Sequence, residues 1–188
     1  MTLKSLLSII FAGLLSALYV CLRIYRTPHQ KKLTEYQMTR LLALAEKSLE
    51  SLDVPVGALL IYHDEIIGEG CNTVLLESDA GGHAEINALS DAIGRLGLEQ
   101  FLSLDRTSLY LVTTFEPCLM CTGAFLNYNI KQIYFLKAKD FIYLAKGGAR
   151  FIRYYFRRGK MTHNGEQDSL FERHPHYPQR KIRTGAPE

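Results

Sequence analysis

The chain has 188 residues, 47% of them hydrophobic, with four cysteines and a formal net charge of +3. That length suits one domain with a proper core and is short for two once the first stretch is set aside, while four cysteines so spaced exclude a disulfide scaffold. The charge is uneven: from residue 141 on, ten Lys or Arg stand against four Asp or Glu, whereas residues 1–140 carry twelve against fifteen. The last quarter is therefore a candidate surface for phosphates.

Ser5 to Leu22 is a run of 18 residues without a charge, followed directly by Arg23 and Arg26. This is about the minimum for a membrane-spanning helix, so the run reads as an uncleaved N-terminal transmembrane anchor. A cleaved signal peptide led by Lys4 is the rival, but no small-x-small cleavage site follows. Lipid attachment at Cys21 is disfavoured because "LYVC" lacks a small residue before the cysteine. Lys4 lies on one side and Arg23, Arg26, Lys31 and Lys32 on the other, which directs the folded part to the cytoplasm. A reducing compartment makes metal or redox chemistry the expectation for the C-x-x-C of Cys118 and Cys121.

After a linker with Pro28, "TEYQ" from Thr34 has the form of a capping box, and Leu41, Leu42, Ala45, Leu49 and Leu52 recur on one face of a helix expected from Glu35 to Leu52. "VGALLIY" and "IIGEGCN" read as strands of a hairpin closed by a tight turn. From His83, the positions Ile86, Leu89, Ile93 and Leu96 follow helical spacing until Gly97 stops them. "SLYLVTTF" is a strand, and Pro117 is expected in the first turn of a helix running to about Tyr128. A strand over Gln132 to Lys137 and a helix from about Asp140 to Arg158 complete the pattern, with residues 161–188 an irregular basic tail. Strands interleaved with helices predict an α/β sandwich with helices on the sheet faces.

His83 stands at one helix start and Cys118 and Cys121 at the next, each after an extended segment, so all three can converge at one end of the sheet. One imidazole and two thiolates form a catalytic zinc set that leaves the fourth tetrahedral position for water. The i, i+3 spacing puts both cysteines on one side of a helix whose positive end lowers their pKa. Glu85, two residues after His83, is not needed as a ligand and suits a proton shuttle. "HAE" with "PCLMC" matches the H-x-E plus P-C-x-x-C signature of zinc nucleobase deaminases.

With these motifs in order, the chain resembles the cytidine deaminase-like superfamily. Within it, "VPVGALL", "GEGCN", "HAEINAL" and "EPCLMCTGA" most resemble bacterial tRNA adenosine deaminases. The resemblance runs over about residues 34–140. It implies a three-layer α/β/α sandwich, one Zn2+ per chain, a homodimer, and hydrolysis of an exocyclic amine, with adenosine in tRNA becoming inosine. It also implies that Asn72 contacts base or sugar, and that Ala84, Glu116 and Pro117 border the substrate. The chain departs from those enzymes at "NYN" (127–129) and "DFIYLAKGGARF" (140–151), where they carry His-Ser-Arg-like and Lys-Thr-Gly-Ala-like segments that help recognise substrate. Deaminases of free guanine, cytosine, cytidine or deoxycytidylate therefore stand beside the tRNA reading.

Two other classes stand beside these. A strand feeding a C-x-x-C at a helix start also describes a thiol redox site, although that leaves His83 and Glu85 without a role. An idle zinc scaffold would need the fourth position blocked. Cys71 reads as a strand residue, and His174 and His176 as unengaged tail residues. Arg150, Arg153, Arg157, Arg158 and Lys160, interleaved with Phe151, Tyr154, Tyr155 and Phe156, suit a helix packing its rings on the sheet, ahead of contact with RNA or anionic lipid. The expected organisation is an anchor over 1–26, a zinc deaminase domain over 27–160 facing the cytoplasm, and a tail over 161–188.

Overall fold

The computed structural model describes residues 31–158 together with 9, 11–17, 19, 170 and 173. Internal contacts divide the chain into Met1–Lys32 and Leu33–Glu188. In the first unit residues 9, 11–17 and 19 are helical and exposed, Lys31 and Lys32 are exposed without regular structure, and the Ser16 hydroxyl donates to the Ala12 carbonyl at 2.9 Å. The expected transmembrane helix, and the membrane anchoring and location drawn from it, are corrected here: among the described residues no helix is long and apolar enough to cross a membrane. The uncharged run behind that expectation sat at the lower limit of length and includes Ser5, Ser8, Gly13 and Ser16, which dilute its apolar character. The rest of that run and its Arg23 and Arg26 flank lie outside the described residues. So do Lys160, His174, His176 and nearly all of the expected tail.

The second unit opens with α1 (Glu35–Lys47), capped as its sequence predicts: the Thr34 hydroxyl accepts the Gln37 N–H, and the Gln37 side chain accepts the Thr34 N–H. Instead of continuing to Leu52, the helix tightens into a 3-10 turn at Ser48–Ser51, and Leu52 takes a left-handed φ of 60°. Its buried stripe accordingly runs through Leu41, Leu44 and Ala45, while Leu42, Leu49 and Leu52 face solvent. Strands β1 (Gly57–Tyr62) and β2 (Glu65–Cys71) form the expected antiparallel hairpin. His63 and Asp64 both adopt positive φ in its turn, the twist that a two-residue hairpin favours.

α2 (Ala84–Leu96) lies against β2 and stops at Gly97, whose φ of 79° ends the helix. A short α3 (Leu98–Ser103), not anticipated from the sequence, follows at once and buries Phe101. β3 (Leu109–Phe115), α4 (Leu119–Asn127) and β4 (Gln132–Lys137) form a parallel strand-helix-strand unit. Cys118 is the N-cap of α4, so Pro117 precedes the helix rather than occupying its first turn. The sheet order is β2-β1-β3-β4, mixed because only β3 and β4 run parallel.

Two apolar clusters define the layers. Leu41 and Leu44 of α1 meet Leu59, Ile61, Tyr110 and Val112 on one face of the sheet. On the other, Leu60, Leu109 and Leu111 meet Leu89, Phe101, Cys121 and Phe125. The alternation of residues along β1 and β3 between these clusters is the period-two pattern of strands buried on both faces. This is the expected α/β/α sandwich. α5 (Phe141–Arg157) closes the described region. The expected packing of its rings on the sheet is not what forms: Phe151, Tyr154 and Phe156 are 56%, 70% and 84% exposed.

Candidate active site

The two helices that carry the H-x-E and C-x-x-C motifs begin side by side. His83 is the N-cap of α2 and Cys118 the N-cap of α4, both with extended backbone, and neither side chain caps its own helix. Both side chains are thereby left to meet each other. His83 Nδ1 lies 3.5 Å from the Sγ of Cys118 and 3.5 Å from that of Cys121, and the two sulfurs are 3.6 Å apart. Among the described residues these three form the one cluster of metal-ligating side chains, and Cys121 is fully buried.

The donor set fits zinc. A tetrahedral ion with ordinary bonds of ~2.3 Å to sulfur and ~2.05 Å to nitrogen requires S–S and N–S edges of about 3.8 Å and 3.6 Å. Those are the edges of this triangle to within a few tenths of an ångström. Its electrostatics also favour a cation. The hydrogen bond with Cys121 holds the Cys118 thiol down, to about 4, against burial, while that same bond and burial push Cys121 up. One sulfur thus already has thiolate character before a divalent charge draws the proton from the other.

Glu85 lies in the first turn of α2 and is 4% exposed. Burial pushes its carboxyl above the ordinary range, opposed by its own backbone N–H and reinforced by the nearby Cys118 sulfur. A buried carboxyl beside a metal set, with its pKa raised, is suited to taking and returning a proton near neutral pH.

His83, Glu85 and Cys118 line a cavity of about 680 Å³. Asn72 and Glu116 also border it, and the Glu116 carboxylate accepts the Lys139 N–H at 2.7 Å. Ala84 is turned instead into the core beside Val56, Ala58 and Ala88. Pro117 borders an adjoining groove of about 400 Å³ with Lys146 and Arg150. Sequence reasoning missed Asp53, Phe115, Lys139 and Tyr143 in the cavity wall. The Lys139 ammonium lies 5.3 Å from the Phe115 ring centre and 5.1 Å from that of Tyr143, a cation between two aromatic faces. No motif spacing marks Asp53, Lys139 or Tyr143, which only the fold brings to the mouth from the segment before β1 and the β4–α5 junction; Phe115 ends β3, two residues before Pro117.

Comparison with known proteins agrees with this geometry. The tRNA-specific adenosine deaminase of Haemophilus influenzae is 39% identical over 137 residues, 72% of this chain and 73% of that protein. The protein of the same name from Buchnera aphidicola subsp. Schizaphis graminum is 41% identical over 100 residues, 53% of this chain and 63% of that protein, so the chain spans less than two thirds of its length. The guanine deaminase of Bacillus subtilis shares the fold, with a TM-score of 0.56 at 24% identity over 73% of this chain and 92% of that one. The family model for the cytidine and deoxycytidylate deaminase zinc-binding region matches residues 31–137, and the chain belongs to that zinc-dependent deaminase family.

Proposed function

We propose that the chain hydrolyses the exocyclic amine of adenosine held in tRNA, giving inosine and ammonia, with the catalytic domain over 27–160. The observation that carries this reading is the run of the surface beside the metal set. The cavity adjoins a second groove across Glu116, Cys118 and Tyr143, and Lys146 and Arg150 of α5 border that groove. A free base needs only the first space; a polynucleotide uses both, with cations against its phosphates. The likeness to the Haemophilus influenzae protein supports the same substrate.

In this reading His83, Cys118 and Cys121 hold the zinc. When bound, zinc supplies the Lewis acidity that makes water a nucleophile near neutral pH. Glu85 takes up the proton that water loses and gives it to the ring nitrogen beside the attacked carbon; it then takes the second proton from the hydroxyl now on that carbon and delivers it to the amine as the C–N bond breaks and the carbonyl forms. Its burial keeps that proton from bulk solvent. Asn72 and Glu116 orient the base or sugar, Ala84 serves through its main chain because its side chain is core, and Pro117 borders the flanking groove. A homodimer is part of the proposal: Leu119, Met120 and Leu126 of α4 are 57%, 43% and 72% exposed, an apolar patch that a second copy would cover.

The test is ammonia release by the full chain from an anticodon-like RNA stem-loop containing adenosine, beside free guanine, cytosine, cytidine and deoxycytidylate, with zinc measured on the same sample. Activity on the RNA alone is the expected result. Turnover of a free base or nucleotide instead would overturn the substrate, and bound zinc without any turnover would favour the idle scaffold.

A further inference from the structure

The loop that follows β2 and carries Asn72 into the cavity wall is held by direct hydrogen bonds to the segment between α1 and β1. The Ser48 hydroxyl accepts the Asn72 backbone N–H at 3.0 Å and donates to the Val56 carbonyl at 3.3 Å. Asp53, only 3% exposed, then gathers the rest. Its Oδ1 accepts the Leu75 N–H at 2.8 Å and the Asn72 side-chain amide Nδ2 at 3.4 Å. Its Oδ2 accepts the Ser51 hydroxyl at 2.8 Å and the Leu76 N–H at 3.2 Å.

An ionised carboxylate only accepts hydrogen bonds, whereas a side-chain amide has a donating end and an accepting end. Facing Asp53, Asn72 has one satisfied orientation, with Nδ2 toward the carboxylate and Oδ1 away from it. The reverse orientation would set oxygen against oxygen and leave the carboxylate short of a donor.

We infer that Asp53 is a positioning residue that fixes the sense in which the Asn72 amide meets the substrate. Asn72 then offers its Oδ1 acceptor and its remaining N–H in one fixed arrangement, matched to a base or sugar edge of complementary polarity. The inference rests on the proposed contact between Asn72 and substrate. Asp53 borders the cavity too, but four donors already occupy its oxygens, so it acts through Asn72 and the loop rather than on the substrate directly.

Asp53→Asn keeps the shape and weakens the constraint, because its amide nitrogen replaces one accepting oxygen and so faces either the Asn72 amide and the Leu75 N–H, or the Leu76 N–H, without accepting from them. The variant should raise KM by roughly tenfold, about the worth of one buried hydrogen bond, with kcat much less affected and zinc content unchanged. In an Asn72→Ala background the same substitution should shift KM by less than about twofold, since the coupling has lost its partner. An equal shift in both backgrounds would mean that Asp53 only supports the fold, and an unchanged KM would also overturn the inference. The side-chain amide resonance of Asn72, identified by its loss in Asn72→Ala, reads the orientation without substrate. It should be a single exchange-protected species in the starting protein and lose protection in Asp53→Asn, and an amide indifferent to the substitution refutes the lock. A locked amide in a chain that turns over no base refutes the functional reading, and the assigned role of Asn72 goes with it.

Discussion

His83 Nδ1 lies 3.5 Å from the Sγ of Cys121 although 38 residues separate them in the chain. Nothing local holds them together; the meeting depends on α2 and α4 both resting on the same face of the sheet and starting at the same end of it. If zinc completes this triangle, loss of any corner removes the metal. Cys118→Ser should lower zinc from about one per chain to a small fraction of that, and a strong chelator should lower the Tm of the unsubstituted protein but not of the variant. Full zinc occupancy in Cys118→Ser, measured by elemental analysis, would disprove the assignment.

Glu85 shares its neighbourhood with the ligands but is assigned the proton and not the metal. Glu85→Gln preserves the shape and removes the titrating group, so ammonia release should fall by about 10²–10⁴-fold while zinc stays at the unsubstituted level. Loss of zinc together with activity would make Glu85 a ligand, and retained turnover would assign the proton transfer to another group.

The zinc set and its two helix starts were legible from sequence because the chemistry needs fixed residue types at fixed spacing, and each motif sits beside a local signal for a helix N-terminus. β4 was legible to the residue, and so was the α1 cap, since both are written within a few consecutive positions. The end of α1 was not: whether Leu49 and Leu52 continue the stripe depends on Asp53 being drawn to the loop after β2, a contact between distant segments. Lys139 and Tyr143 were invisible for the same reason. The uncharged run at the N-terminus misled because absence of charge was read as apolar length, and the aromatics of α5 because amphipathic periodicity does not tell which face finds a partner.

Arg40 on α1 and Glu69 on β2 form a two-pronged pair, Nε to Oε1 at 2.8 Å and the terminal nitrogen to Oε2 at 2.6 Å. The hydrogen bond from Arg40 holds the Glu69 carboxyl below its usual range, outweighing burial, and the Arg40 charge adds to it. A depressed carboxylate pKa contributes stability that is complete above the unfolded glutamate value and is lost as the pH falls through the lowered folded value. Because the Arg40 side chain is 44% exposed, solvent screens the pair and Arg40→Met should cost only about 0.5–1 kcal/mol near neutral pH. Denaturant melts of both proteins should differ at about pH 7 and converge as the pH falls through the lowered Glu69 value. A gap that persists in acid would assign the cost to lost packing of the arginine stem.

Gly70 joins the scaffold to the chemistry. It pairs with Ala58 on β1, and a Cβ at this position would run into the Ala84 carbonyl and the Ala88 N–H of the α2 backbone, which no rotamer change relieves. Gly68 faces the same helix one turn further on, where its Cβ would meet the Ala88 carbonyl and Ala92. Either substitution must lift α2 from the sheet, at a cost of about 1–3 kcal/mol by overpacking. The two should differ in consequence, because Ala84 directly follows the ligand His83 whereas Ala92 lies toward the far end of the helix. Gly70→Ala should therefore weaken zinc retention in a chelator competition as well as lower Tm, while Gly68→Ala should lower Tm with the smaller effect on the metal. Equal loss of zinc in both would mean that α2 moves as one rigid piece, and that the closeness of Gly70 to the site has no separate bearing on it.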